Sequence, residues 1–233
     1  MKIILTSIFL AFSISVYAQS NFYKLSIGGG AGFTRSYADL QEHSYGKALY
    51  GTADFFITPF TSLGVEYQDG SVKGGQNNLD RSGSRFDNSY RSLSINGKVF
   101  LGAFVAYKHS KLLDDLKGLY VGAGVGAIQN RLSDLQPNNR DEPEQVYRPL
   151  SREAFIPLNL GLNYYLPDKY GQYRYVLNVN YQGNITLGEG LDGYDSSTIR
   201  FQNGKPDVFT YLTLGLKYKF GLIGITPKTF KRY

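Results

Sequence analysis

From residue 207 to residue 220 the chain reads DVFTYLTLGLKYKF, and its side chains form two sets that alternate residue by residue. Val208, Thr210, Leu212, Leu214, Leu216, Tyr218 and Phe220 make one set; Phe209, Tyr211, Thr213, Gly215, Lys217 and Lys219 make the other. Successive side chains of a strand point to opposite faces, so this spacing predicts a strand with one apolar face and one polar, glycine-bearing face. Residues 23–36 repeat it: Tyr23, Leu25, Ile27, Ala31 and Phe33 oppose Lys24, Ser26, Gly28, Gly30, Gly32 and Thr34. Glycine weakens a strand interior, so glycines at alternate positions imply close approach of bulky groups, as between the walls of a narrow barrel. The GGGAG run here is not a phosphate cradle, because no helix pattern and no Gly-Lys-Ser/Thr follows it.

Six further segments show two-faced alternation: 46–58, 63–70, 90–101, 119–131, 154–166 and 173–187. Residues 119–131 set Leu119, Val121, Ala123, Val125 and Ala127 against Tyr120, Gly122, Gly124 and Gly126. The connections differ by side. Polar stretches 37–45, 71–89, 132–153 and 188–206 fall on one side, while 59–62 and 167–172 are tight turns on the other. Residues 102–118 share the turn side, and their KHSKLLDDLKG run predicts a short amphipathic helix through Leu112, Leu113 and Leu116.

Composition narrows the classes. Residues 1–18 carry Lys2, an apolar run and small residues before Gln19, the parts of a secretory signal peptide, leaving 19–233 as one β-barrel domain. With no cysteine, neither a disulfide framework nor a thiolate metal site is available. The formal charge of +6 is spread along the chain rather than clustered, which argues against a nucleic-acid partner. No metal-ligand spacing occurs and no cofactor is expected. Mean hydropathy is only −0.27, a value that a membrane barrel also shows because every other residue meets lipid. There are 20 Tyr and 15 Phe but no Trp, so tyrosine and phenylalanine would have to form any interfacial aromatic belt.

The face carrying glycine and asparagine decides between solvents. A soluble barrel would wet that face, where small residues serve no steric purpose; in lipid the faces reverse and small polar side chains fill the narrow lumen. Strands of about 9–11 residues suffice to span a bilayer when tilted. Thr213, Gly215, Tyr218 and Phe220 also resemble the terminal assembly signal of bacterial outer-membrane barrels. The chain as a whole resembles the small eight-stranded outer-membrane barrels of the OmpA and OmpX type. That resemblance implies an all-β, antiparallel up-and-down transmembrane barrel with long extracellular loops, set in the bilayer of the cell outer membrane by the barrel-assembly machinery.

Candidate chemistry is sparse. A symmetric hairpin about the Pro59 turn would set Asp54 opposite Glu66, two lumenal carboxylates that need compensation. Lys24, Lys98, Arg174, Lys217 and Lys219 are placed to provide it, predicting a charged network that closes the turn-side half of the lumen. His43 beside Ser44 raises a second reading, an outer-membrane lipid acyltransferase or deacylase, though adjacency does not supply the geometry of an activated nucleophile. His109 among lysines reads as solvated. Asp80, Arg81, Arg85 and Asp87 in one loop, and Arg140, Asp141, Glu142 and Glu144 in the next, are candidate contacts for an envelope protein partner. The expected role is a non-enzymatic structural or interaction protein. A third alternative is a secreted soluble barrel that binds an apolar ligand.

Overall fold

A computed structural model describes residues 20–36, 43–74, 85–107, 110–136, 150–188 and 207–226. The expected leader, 1–18, lies outside the described residues. Eight strands follow in chain order: β1 (Ser20–Ser36), β2 (His43–Thr58), β3 (Thr61–Gly74), β4 (Arg85–Phe100), β5 (Leu119–Gln136), β6 (Leu150–Pro167), β7 (Tyr173–Thr186) and β8 (Val208–Thr226). Each pairs antiparallel with the next, and β8 returns to β1 to close the barrel. Closure leaves no unpaired edge, which is what a sheet in hydrocarbon requires.

Alternation sorts the side chains as the pattern predicts. The apolar set faces outward: Leu49, Val125 and Leu216 are 65%, 66% and 63% exposed. The polar set faces inward and is buried, including Thr52, Asp54, Gln68, Asn96, Asn159 and Gln182. Such a barrel is inverted relative to a water-soluble one, and its exterior belongs in lipid. This overturns the soluble-barrel alternative, which needs the apolar set inside. Tyr45 and Tyr67 stand exposed toward the loop end and Tyr175 and Tyr218 toward the turn end, where amphipathic rings suit the two interfaces.

Several boundaries differ from the sequence reading. Strands β3, β4, β5 and β6 run into stretches expected to be loop, ending or starting at Gly74, Arg85, Gln136 and Leu150. Those extensions mix polar and apolar residues without a sustained two-residue period, while still completing the backbone ladder. Strand β8 continues past Phe220 through a bulge. Tyr23 pairs with Ile223 but Leu25 with Phe220, and the extra residue is absorbed at Gly221, whose φ is +79°. A glycine in the left-handed region is the usual solution for such a bulge. It flips the alternation, so that Leu222, Ile223 and Ile225 all face outward.

The irregular connection expected at 102–118 begins at Leu101, and its described residues take two short turns of helix. A 3-10 turn (Leu101–Ala103) leads to a short helix, α1 (Lys111–Leu116), whose Ser110 side chain accepts from the Leu113 amide at 3.5 Å. Leu113 turns toward the barrel mouth while Leu112 is 66% exposed. On the other turn, the Asp168 carboxylate accepts the Tyr170 and Gln172 amides at 2.8 and 2.9 Å and faces the Arg174 guanidinium at 3.2 Å.

Two outcomes follow. Gly221→Val forces a β-branched residue into the left-handed region and against Leu25, and should lower unfolding stability by about 1–2 kcal/mol in a urea titration of the refolded barrel. Desolvation pushes the Asp168 carboxyl up, but the Gln172 and Tyr170 amides and Arg174 outweigh it and hold it below its ordinary value. The turn therefore keeps its full support above the ordinary carboxylate range. That support is lost as pH falls through the depressed folded value. Amide exchange at Tyr170 and Gln172 should accelerate there, and Asp168→Asn should remove the pH step.

Candidate functional site

Inside the barrel the side chains are arranged in layers. Toward the loop end lie Ala48, Tyr50, Val72, Tyr90, Ile128, Leu132, Phe155, Phe209 and Tyr211, an apolar cluster with Tyr90 and Phe209 rings 5.4 Å apart. Toward the turn end a second cluster gathers Phe22, Phe56, Phe60, Phe100, Tyr107, Tyr120, Tyr165, Tyr173 and Val176. The 101–118 connection supplies Tyr107, which meets the Phe60 ring at 5.5 Å, and Lys117, whose ammonium donates to Tyr173 and contacts Asp114 at 2.6 Å. Between these two plugs sits a polar layer.

Asp54 is the hub of that layer. Its Oδ2 meets Lys217 Nζ at 2.8 Å and its Oδ1 meets Lys98 Nζ at 3.3 Å, with all three side chains almost fully buried. Neither lysine is on a strand adjacent to β2. Lys217 of β8 crosses β1, and Lys98 of β4 crosses β3. Each crossing goes over a glycine. Gly28 pairs with Lys217 on β1's far side, and a Cβ there would lie 2.6 Å from the Lys217 side chain. Gly64 pairs with Asp54, and a Cβ there would strike its carboxylate. Glycine on β1 and β3 thus opens the two gaps through which charges two strands away on either side reach one carboxylate.

Around the hub, amide side chains bond to one another, with Asn180 Oδ1 and Asn184 Nδ2 left over. Gln68 donates to Glu66 at 2.7 Å and to Gln182 at 3.0 Å, while Tyr90 donates to Gln68 and Gln182 to Asn184. Asn180 donates to Asn159, Asn159 to Asn96 and Asn96 to Ser94, a relay across four strands. Asn178 joins Asn163 and Tyr120, and accepts from Tyr50. Lys219, fully buried, rests its ammonium 3.7 Å from the Phe56 ring centroid and 5.4 Å from that of Tyr165, where the negative ring faces stabilise it.

The predicted network is therefore gathered only in part. Asp54, Lys98 and Lys217 are joined, while Glu66 bonds to Gln68 and Lys219 is held among aromatic rings. Asp54 does not oppose Glu66; it pairs with Gly64, and Glu66 pairs with Thr52. The turn is only Pro59 and Phe60, between paired Thr58 and Thr61, and with the irregularity between Phe56 and Thr58 it sets Asp54 opposite the residue five beyond Pro59 rather than seven. Lys24 falls in the β1/β8 bulge and is half-buried, away from the hub. Arg174 turns outward beside the irregularity at Leu166 and Pro167, donating to Tyr218 at 2.9 Å and to Tyr23. His43 opens β2 opposite Gly74, its side chain beyond the described residues, as is His109. Asp87 pairs with Lys73 at 2.7 Å; Asp80, Arg81, Arg140, Asp141, Glu142, Glu144 and the Arg85 side chain lie outside the described residues. Sequence reasoning missed the two aromatic plugs and the amide relay, although Asn and Gln recurring on one parity of β6 and β7 was a signal for the latter.

Of the assembly-motif residues, Thr213 and Gly215 face the lumen and Tyr218 stacks on Phe220 outside, at 6.1 Å. Among solved structures, Neisserial surface protein A superposes with a TM-score of 0.51, covering 87% of this chain and 99% of that one at 13% identity. The fold is that of the small outer-membrane barrels. Ail, the attachment invasion locus protein of Yersinia pestis, aligns over 85% of this chain and 99% of its own at 13% identity and a TM-score of 0.47. At these identities the likeness is one of fold. No protein-family model and no curated protein matches the chain. With its apolar exterior, this outer-membrane barrel sits in the bilayer.

Removing the hub charge should be costly. Asp54→Asn leaves two buried ammonium groups without their carboxylate, and should lower the unfolding free energy by about 3–5 kcal/mol. Lys217→Met, which leaves Lys98 paired, should cost less. Gly64→Val should approach the effect of Asp54→Asn without altering any charge, a comparison that equilibrium unfolding in detergent micelles can make.

Proposed function

We propose that the protein is a non-enzymatic barrel of the outer membrane, a structural or interaction component of the cell envelope that meets a protein partner outside its lumen. The observation that carries this reading is the filled interior. Two aromatic clusters flank a polar layer whose side chains bond to one another, so the bore of the described barrel is occupied by its own side chains. Activity then falls to the loop end or to the surface of the 101–118 connection, where Phe104 is 77% exposed. A rigid barrel is a suitable scaffold for binding segments, and the barrel-assembly machinery is the expected route of insertion.

Reconstituted into planar bilayers, the protein should show no stepwise conductance, and resolved steps would overturn the filled-lumen reading. Photo-crosslinking in intact cells from Phe104 and from the extracellular connections should trap a discrete envelope protein. Uniform labelling of abundant neighbours would sink the interaction role. His43→Ala should leave the cell's lipid profile unchanged; a lost lipid species would favour the acyltransferase or deacylase alternative instead.

A further inference from the structure

The outward surface of β4, β5 and β6 carries a feature that the lumen does not explain. Gln129 on β5 pairs with Arg91 on β4 and with Arg152 on β6, and Arg131 lies two residues further along the same outward face of β5. All four side chains are exposed, and Arg91 retains 71% of its side-chain surface. Three arginines thus surround one amide on adjacent strands. Among the described residues, the carboxylate bonded to them is Asp69 on β3, which takes Arg91 Nε at 3.0 Å and also accepts from Tyr67, while Asp87 further along β4 is taken by Lys73 at 2.7 Å. Among the described residues, Arg131 and Arg152 have no carboxylate bonded to them, so this part of the face is cationic.

Its position is as informative as its charge. One step toward the turn end on the same face, Leu93 pairs with Ala127 and Ala127 with Ala154, and the apolar belt continues through Ile95 and Val125. The arginines stand at the border where the lipid-facing surface becomes polar, on the loop side. Ala127 and Ala154 leave a shallow shelf beneath Gln129. A dissolved anion would use only the guanidinium groups. A molecule with anionic phosphate at one end and acyl chains at the other would use the arginines, the shelf and the belt together. Guanidinium suits phosphate because its planar donors engage two oxygens at once.

We propose that Arg91, Arg131 and Arg152 form a binding site for the phosphorylated headgroup of an acyl lipid in the outer leaflet. This inference rests on the membrane placement of the barrel and is independent of the partner proposed for its loops. The site holds one lipid against the β4–β6 wall and sets the height of the barrel in the membrane.

Native mass spectrometry of the detergent-solubilised barrel tests it, with two probes of identical acyl chains: a diphosphorylated glucosamine disaccharide lipid and its dephosphorylated analogue. The wild-type protein should retain the phosphorylated lipid about tenfold more tightly, and R131Q/R152Q should erase that difference. K169Q, which removes a cation at the opposite rim, should preserve it. Because the readout is a difference between two lipids on one folded protein, loss of folding would abolish both signals rather than the difference alone. Equal retention of the two lipids by wild type, or a difference that survives R131Q/R152Q, overturns the site. Displacement of the lipid by inorganic phosphate would show a free-anion site and overturn the lipid assignment. A protein that fails to insert into vesicles of any composition would instead refute the membrane reading itself.

Discussion

The interior width of an eight-stranded barrel is the constraint on which the rest of this structure depends. Such a barrel is only wide enough to be filled by its own side chains. Any large inward residue must therefore be matched by a small one nearby. Here large and small alternate by strand: Gly28 on β1 lies beneath Lys217, Gly64 on β3 beneath the Asp54 carboxylate, and Gly215 beneath the Tyr50 ring. Glycine in this chain makes room for side chains that start on other strands. The usual cost of glycine in a strand is recovered by the buried contacts that its absence of a side chain permits.

That packing also explains how charge survives at the centre. A carboxylate deprived of water must find its donors within hydrogen-bond distance or lose its charge. Asp54 finds two ammonium groups, one from each side, because both gaps are open. The amide relay surrounds it with groups whose donors and acceptors are mostly consumed among themselves. Aromatic rings then close both ends, and at the turn end they also accommodate Lys219 and Lys117 by their faces. The polar layer is consequently enclosed between the two aromatic clusters, although it lies in what would be the bore of a wider barrel.

Much of the architecture was legible because alternation is local. Residues 207–220 and 119–131 declare their faces one residue at a time, and eight such stretches with unequal connections suffice to infer the inverted barrel. What depends on pairing was not legible. A two-residue turn at Pro59 and Phe60, together with a bulge near Ile57, put Asp54 opposite Gly64 rather than Glu66, and an irregularity near Pro167 turned Arg174 out of the lumen. Neither leaves a signature in composition. Gly28 announced a close approach without revealing that its visitor would be Lys217, which sits some two hundred residues away in a neighbouring strand. The aromatic plugs were hidden for the same reason: parity placed Tyr120, Phe209 and Tyr211 inward, but only closure of the sheet brings their rings together with others.

The path from Lys217 to Asp54 runs over the seam where the last strand meets the first. Before the sheet is closed, the first seven strands hold Asp54 with Lys98 alone, and the second cation is still on a separate edge. Joining β8 to β1 thus completes an ion triad at the same moment that it completes the backbone ladder. The two events reinforce each other, so partially zipped barrels forfeit both. The buried charges act as a latch on circularisation, favouring a sheet that is either open or shut over any state between.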